Sequence, residues 1–299
     1  KQISNYYPME NKFGGTGVAI ITPFSDGEID YLALRIVVDH VISGGVDFIV
    51  ALGSTGEAAT ISPSESRLVL DAIINETKGR VPLVAGNFGS NNTRALVNQI
   101  NGYSFDGIDA ILSASPSYSK PSQQGIYEHY TVVADTSPVP VILYNVPSRT
   151  SSNISADTTI RLSKHSNIIG IKEASGDLAQ AKDIIRSSDE RFFVTSGDDV
   201  LAPAMTLSGG VGVISVLANA YPAEFSQMIS HFVNGQSEQG KILEDKLYNF
   251  HDSMYSEGNP SGIKTAMEIL GVCSADVRLP LTRVSSDLHR KLVELVKNL

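Results

Sequence analysis

A lysine inside an otherwise apolar stretch is the residue of this chain with the most evident chemical potential. Lys172 follows the run Ile-Ile-Gly-Ile at 168–171, and such a short apolar run is typical of a buried strand. In an apolar pocket the ammonium form of a lysine is poorly hydrated, so the neutral amine becomes available to attack a ketone. The pattern therefore favours Schiff-base chemistry. The alternative is a strand-end lysine whose ammonium reaches water or pairs with Glu173, and this segment alone leaves both open.

Polar side chains also follow several other apolar runs. Ser54 and Thr55 lie in a Gly-Ser-Thr-Gly turn after one run, Tyr118 follows another, and Tyr144 closes a third, with Arg149 shortly after it. Each has an ordinary structural explanation, because many such turns are only turns, tyrosines pack in cores, and most arginines are solvated charges. Together, however, an amine, phenols, hydroxyls and a guanidinium are able to bind a carbonyl compound and transfer its protons, provided that the fold brings them together.

The elements that would position these side chains repeat along the chain as strand–helix units. Segments with helical periodicity lie between the apolar runs, and Ser62-Pro63-Ser64-Glu65 has the form of a helix start, with an N-cap, a proline and a capping glutamate. Eight such units with nearly continuous apolar strands predict an α/β fold, a (β/α)8 TIM barrel. The eight runs begin near Val18, Phe48, Val81, Ala110, Val139, Ile168, Phe192 and Val211.

The pattern divides the chain into three parts. Residues 1–12 are polar and without periodicity, so we expect an N-terminal tail there, and residues 13–219 hold the barrel. Beyond this point the strand pattern stops, and residues 220–299 are typical of a C-terminal helical extension with breaks at Asn259-Pro260 and Leu279-Pro280. In a barrel of this kind catalytic side chains lie at the C-terminal ends of the strands. The lysine and the polar residues described above all fall at such ends.

Composition excludes several classes of function. The chain has 299 residues, a net charge of −9, 42% hydrophobic and 18% charged residues, as is typical of a globular enzyme. It lacks the clustered lysines and arginines that bind phosphates, so we expect no nucleic-acid partner, and Asp198-Asp199 would repel a phosphorylated substrate. Cys273 and the six scattered histidines have no metal-ligand spacing. Because no apolar stretch is long enough to span a bilayer, we expect no membrane partner and a cytoplasmic location.

Taken together, the motifs resemble those of the dihydrodipicolinate synthase and N-acetylneuraminate lyase family of class I aldolases. The resemblance implies the same barrel with a helical extension, activity as a lyase, no metal or organic cofactor, and a homo-oligomer, usually a tetramer built as a dimer of dimers. It runs from about Gly14 to the C-terminus and rests on Gly15-Thr16-Gly17, Thr22-Pro23-Phe24, the turn Gly53–Glu57, the segments Tyr144–Thr150 and Gly170–Ala174, and Ser196–Asp199.

The resemblance also implies catalytic roles. Lys172 corresponds to the amine that forms a Schiff base with pyruvate, and Tyr144 to the phenol that moves protons at the Schiff-base carbon. Thr55 and Tyr118 correspond to the relay partners of that phenol. In the family the residue at the position of Tyr118 reaches in from the neighbouring subunit, so the site would depend on assembly.

A second group of residues would bind the substrates. Ser54 and Thr55 correspond to donors for the pyruvate carboxylate, while Gly197 and Ile214 correspond to residues that line the pyruvate pocket through their backbone. Arg149 distinguishes the branches of the family, because a planar guanidinium suits bidentate binding of a carboxylate and aspartate-4-semialdehyde carries one. We therefore expect condensation of pyruvate with aspartate-4-semialdehyde, in lysine and diaminopimelate biosynthesis.

Two other functions stay open at this point. An N-acetylneuraminate lyase or a 2-keto-3-deoxy sugar acid aldolase of the same family would share Lys172 and Tyr144 but lack Arg149, and a noncatalytic ketoacid-binding homologue would lose the proton relay. The chain departs from the family pattern at Ser54, which replaces a threonine and keeps the hydroxyl, and at Ser117, where lysine-inhibited members carry an aromatic residue. The second departure predicts little inhibition by lysine.

Overall fold

Eight parallel strands close into a barrel in which each strand pairs with its neighbours in the sequence. The computed structural model describes residues 12–299. The strands are β1 Gly15–Ala19, β2 Phe48–Ala51, β3 Leu83–Ala85, β4 Ala110–Ala114, β5 Val141–Asn145, β6 Ile168–Glu173, β7 Phe193–Ser196 and β8 Gly212–Ser215. Because β1 pairs with both β2 and β8, the sheet has no free edge. The predicted (β/α)8 barrel is confirmed.

Helices alternate with these strands and form an outer layer around them. A capping box begins α2, as predicted. The backbone N–H of Ser62 donates to the carboxylate of Glu65, and the hydroxyl of Ser62 accepts from the backbone N–H of Glu65. The outer helices are α1 Tyr31–Ser43, α2 Pro63–Thr77, α3 Thr93–Asn101, α4 Gln123–Thr136, α5 Ala156–Leu162, α6 Leu178–Ser187, α7 Ala202–Leu207 and α8 Pro222–Val233. The extension adds α9 Ser237–Tyr255, α10 Ser261–Ile269 and α11 Ser286–Lys297.

The first helix after the strands belongs to the barrel by its packing. Helix α8 contacts β1, α1 and α7, and so completes the outer layer up to Val233, whereas the predicted extension begins at residue 220. The division of the chain into domains stays a prediction. Of the predicted tail 1–12, residues 1–11 lie outside the described residues, and Lys12 forms an ion pair of 2.6 Å with Asp109. None of the helices between residues 12 and 299 is long and apolar enough to cross a membrane.

Strand alternation decides which side chains point into the barrel. On β5, Ile142 and Tyr144 belong to the apolar cluster inside the barrel, while Leu143 packs between the sheet and the helices. Tyr144 is in register with Lys172 on β6. Because successive side chains of a strand point to opposite faces, this phenol and this amine both point inward at the C-terminal rim of the barrel.

Candidate active site

A cavity of about 260 Å³ opens at the C-terminal ends of the strands. Residues at or directly after the ends of all eight strands, together with residues of the C-terminal extension, form its walls. Two of the predicted site residues are not among them. Ile214 packs in the apolar cluster inside the barrel, and Tyr118 is 91% exposed. The predicted residues that do line the cavity are Ser54, Thr55, Tyr144, Arg149, Lys172 and Gly197.

The amine of Lys172 lies against a phenol in this cavity. Its Nζ is 4.6 Å from the centre of the Tyr144 ring, and the lysine is only 5% exposed. No described residue forms an ion pair with Lys172. The side chain of Glu173 accepts its hydrogen bonds on the other face of the strand. Pairing of these two neighbours, the alternative left open by the sequence, therefore does not occur.

A glycine leaves room for the amine. A Cβ atom at Gly197 would lie 2.9 Å from Cε of Lys172 and 2.7 Å from Cβ of Ala174. Both distances are shorter than any ordinary carbon–carbon contact, so a side chain at this position would displace the lysine. Gly197 thus contributes space and backbone to the cavity wall.

The turn after β2 presents two hydroxyl groups. Thr55 is 3% exposed, and its Oγ1 accepts a hydrogen bond of 3.0 Å from Nδ2 of Asn259. Within residues 12–299 no group accepts a hydrogen bond from this hydroxyl, so its proton remains available for donation. Ser54, beside it, is exposed at the cavity wall. The hydroxyl of Thr22 donates to the carbonyl of Gly56 at 2.8 Å and holds the turn against the loop after β1.

A buried ion pair ties this turn to the C-terminal extension. Nζ of Lys264 on α10 lies 2.5 Å from Oε1 of Glu57, and neither side chain is exposed. The other carboxylate oxygen accepts from the backbone N–H of Arg278 at 3.0 Å, and Lys264 also donates to the carbonyl of Asp276 at 2.8 Å. Burial lowers the pKa of Lys264, and the negative charge of Glu57 opposes that change. Sequence reasoning missed this pair.

The long helix α9 supplies two aromatic rings that the sequence analysis also missed. The rings of His251 and Tyr255 line the cavity with centres 4.9 Å apart, and Nε2 of His251 lies 3.9 Å from Oδ1 of Asp198. Burial raises the pKa of Tyr255, and the negative charge of the nearby Asp199 adds to the effect. The phenol of Tyr255 is therefore a neutral hydrogen-bonding group at physiological pH.

Of two predicted residues that follow strands β4 and β5, Arg149 lines the cavity and Tyr118 does not. Arg149 lies on a single turn of helix, Pro147–Thr150, directly after β5, and its guanidinium has no ion pair with any described residue while it lines the cavity. Tyr118 has a positive φ of 63°, and its backbone N–H donates to the carbonyl of Thr150 at 3.1 Å. Its phenol is thus held outside the cavity of its own chain, on the same side of the barrel.

The arrangement suits carbonyl chemistry on a substrate that carries a carboxylate. A buried amine stacked on a phenol is able to form a Schiff base and exchange protons with it, and hydroxyls and a guanidinium nearby donate hydrogen bonds to anions. Between residues 12 and 299, no group of three or more histidine, cysteine, aspartate or glutamate side chains is placed to hold a metal ion.

Comparisons with known proteins agree with this geometry. The model of the dihydrodipicolinate synthetase family matches residues 12–299. The 4-hydroxy-tetrahydrodipicolinate synthases of Cytophaga hutchinsonii and Flavobacterium psychrophilum are each 47% identical to this chain, over 94% and 96% of it and 94% and 98% of their own lengths. The crystal structure of the chloride-inhibited dihydrodipicolinate synthase from Acinetobacter baumannii complexed with pyruvate has a TM-score of 0.91 at 37% identity, covering 96% of this chain and 99% of that one.

Proposed function

The chain belongs to the dihydrodipicolinate synthetase family, and on this basis we propose that it condenses pyruvate with aspartate-4-semialdehyde to give 4-hydroxy-tetrahydrodipicolinate. This is a step of lysine and diaminopimelate biosynthesis. The observation that carries the proposal is the buried amine of Lys172 on the ring of Tyr144, in the same cavity as the unpaired guanidinium of Arg149. The pyruvate complex of the Acinetobacter baumannii relative supports the first substrate.

The reaction begins at the amine of Lys172. Its nitrogen attacks the ketone carbon of pyruvate, and loss of water from the resulting carbinolamine leaves an iminium ion. We assign proton transfer to Tyr144, because its ring lies 4.6 Å from Nζ and a phenol passes protons without carrying a permanent charge. The relay to which it belongs includes Thr55 and, from a neighbouring subunit, Tyr118.

The carboxylate of pyruvate binds at the turn after β2. Thr55 offers a hydroxyl whose proton no described residue accepts, while its oxygen accepts from Asn259. Ser54 offers a second hydroxyl at the cavity wall. Hydrogen bonds to an ionised carboxylate are stronger than those between neutral groups. The backbone beside Gly197 closes the pyruvate pocket, so the methyl group of the substrate is held for deprotonation.

The second half of the reaction joins the two substrates. Loss of a proton from the methyl carbon converts the iminium into an enamine, whose carbon attacks the aldehyde of aspartate-4-semialdehyde. Arg149 binds the carboxylate of that aldehyde in a bidentate manner. The amine of the bound aldehyde substrate then attacks the iminium carbon and displaces Lys172, so that the ring closes and the enzyme regains its free amine.

The exposed Tyr118 argues for assembly of the site between subunits. A phenol that is 91% exposed in one chain gains a catalytic role only when another copy of the chain packs against the loop after β4. We propose a homotetramer built as a dimer of dimers, in which Tyr118 of each subunit completes the active site of its partner.

A substrate comparison tests the proposed function. Purified enzyme is assayed with pyruvate plus aspartate-4-semialdehyde, with the product reduced by a coupled reductase, and in parallel with N-acetylneuraminate and with 2-keto-3-deoxygluconate. We expect turnover of the first pair and no cleavage of the sugar acids. Faster cleavage of either sugar acid would replace the proposed reaction by a sugar-acid lyase activity, and binding of pyruvate without any turnover would indicate a noncatalytic protein.

A further inference from the structure

Two buried polar residues lie directly behind the reacting pair. Asn145 follows Tyr144 on β5 and Glu173 follows Lys172 on β6, and the two are in register. Both are almost completely buried. Since neighbouring residues of a strand point to opposite faces, their side chains lie between the sheet and the helices, on the outer side of the strands whose inner side carries the amine and the phenol.

The carboxylate of Glu173 is surrounded by neutral donors. Asn145 Nδ2 lies 3.0 Å from its Oε2 and 3.2 Å from its Oε1, Gln180 Nε2 lies 3.2 Å from Oε2, and the backbone N–H of Ser175 donates to Oε1 at 2.7 Å. Asn153 closes the network, since its Oδ1 accepts from Asn145 at 2.7 Å and from Gln180 at 3.2 Å. Within residues 12–299 no cation pairs with this carboxylate, so these hydrogen bonds alone hold it.

The network needs an acceptor at position 173. Every neighbouring group of Glu173 donates, and an ionised carboxylate is the one side chain that only accepts. Burial raises the pKa of Glu173, and the hydrogen bonds from Ser175, Asn145 and Gln180 oppose that rise. A glutamine at this position has the same shape but would turn an N–H group toward one of these donors.

The network also fixes the spacing of the strand ends. Glu173 on β6 is bonded across to Asn145 on β5 and outward to Gln180 on α6. Glu173 is joined through the backbone to Lys172, and Asn145 to Tyr144. A shift of Glu173 or Asn145 on the outer face therefore also moves its neighbour on the inner face. A displacement of about 1 Å in a reacting group is able to cost on the order of a hundredfold in rate.

We infer that Glu173 and Asn145 are positioning residues for the Schiff-base pair: their buried hydrogen bonds hold Lys172 at the ring of Tyr144 from behind the strands. The inference rests on the proposed function, because it assumes that Lys172 is the amine that reacts. It adds two residues outside the cavity, Glu173 and Asn145, to those on which the reaction depends.

Single substitutions test this inference through separate kinetic constants. Glu173→Gln removes the acceptor with the least change in shape. We expect the rate of borohydride-trapped adduct formation at saturating pyruvate, and kcat, to fall about tenfold to a hundredfold. KM for the aldehyde should change less than kcat, because the guanidinium of Arg149 makes no hydrogen bond with the residues of this network. The thermal midpoint of each variant is measured in parallel.

A compensating double variant shows whether the hydrogen bond itself is responsible. Gln180→Glu alone places a second carboxylate about 3 Å from Glu173, at the present hydrogen-bond distance of 3.2 Å, and should also be impaired. Combined, Glu173→Gln and Gln180→Glu restore one donor and one acceptor across the same contact. We expect the double variant to form the trapped adduct faster than either single variant.

A matched control lies at the other end of the same strand. Asn167 is an amide whose Nδ2 donates to the carbonyls of Ala134 and Ser137, both at 2.9 Å, just before β6. Asn167→Ala should lower the thermal midpoint and leave the trapping rate unchanged.

The outcomes separate this inference from the proposed function. If wild-type protein gives no pyruvate adduct, the proposed function fails and the inference fails with it. If wild-type protein is trapped but folded Glu173→Gln reacts at the wild-type rate, the inference alone is overturned. Failure of the double variant to recover any rate while it recovers thermal stability would assign the network to folding and would also overturn the inference.

Discussion

Removing the ammonium of the buried ion pair between α10 and the turn after β2 should cost the protein several kcal/mol of stability. Lys264→Met keeps the length of the side chain and deletes its two donated hydrogen bonds, to Glu57 and to the carbonyl of Asp276. Among the described residues, the carboxylate of Glu57 then keeps one partner, the backbone N–H of Arg278. A charge-assisted bond contributes about 1.5–3 kcal/mol, and leaving the partner charge buried raises the total loss to about 3–5 kcal/mol.

The same substitution should impair catalysis because Glu57 belongs to the turn that carries Ser54 and Thr55. Loosening of this turn displaces the hydroxyl of Thr55 from its contact with Asn259. We expect kcat/KM for pyruvate to fall about tenfold, because a hydrogen bond to a charged group contributes about 1.5–3 kcal/mol. KM for the aldehyde, whose carboxylate we propose that Arg149 binds, should change less.

Denaturant unfolding and steady-state kinetics measure the two effects. The companion variant combines Glu57→Gln with Lys264→Met, so that no charge is left buried while Arg278 keeps an acceptor. We expect this double variant to be more stable than Lys264→Met alone by at least about 1.5 kcal/mol. A loss below about 1 kcal/mol for Lys264→Met, or equal losses for the single and double variants, would refute the assignment of this pair as a stabilising link.

Three further predictions concern the substrate, assembly and pH. Arg149→Ala should lower kcat/KM for aspartate-4-semialdehyde roughly 30-fold, which corresponds to about 2 kcal/mol, and should leave pyruvate adduct formation intact. Normal turnover with reduced adduct formation would contradict the assigned role. Hybrid oligomers of Lys172→Ala and Tyr118→Phe chains should show activity that neither parent shows in steady-state assays, whereas verified hybrids without activity would mean that each chain completes its own site. Burial lowers the pKa of His129 from 6.5 to about 4. Between these pH values the unfolded chain binds a proton that the folded chain does not, so the free energy of unfolding falls by up to about 1.4 kcal/mol for each pH unit by which the pH is lowered. Unfolding of His129→Asn across this window should show a shallower decline, and identical slopes would exclude His129 as the cause.

The barrel and the centre of the site could be predicted from the sequence because both depend on local patterns. Apolar runs separated by helical periodicity define the strands, and a lysine at the end of such a run lies at the C-terminal rim of the barrel. The capping box of α2 was predictable for the same reason, since its groups lie within four residues of one another.

The outer wall of the cavity was not predictable because it depends on the docking of the extension. Helical periodicity shows that α9 has a buried face, but not that His251 and Tyr255 on it meet the barrel. The partners of the buried ion pair, Glu57 and Lys264, are separated by 207 positions, and no local pattern relates them. Their contact follows from tertiary packing alone.

The direction of Glu173 is a further case in which local pattern was insufficient. The pairing of β5 with β6 shifts register between Val141 and Ile142, and a shift of one residue exchanges the two faces of a strand. Alternation counted from the start of β6 therefore does not determine which of Lys172 and Glu173 points inward. The sequence left open an ion pair between them, and the structure places them on opposite faces.

Covalent capture of pyruvate tests the central claim most directly. Wild-type protein is incubated with pyruvate and borohydride, digested, and analysed by peptide mass spectrometry, with Lys172→Arg as the matched control that keeps a cation at the site. We predict a reduced pyruvyl adduct on the peptide that contains Lys172, and none in the control. An adduct on another lysine, or protein that turns over substrate without any adduct, would contradict the proposed mechanism.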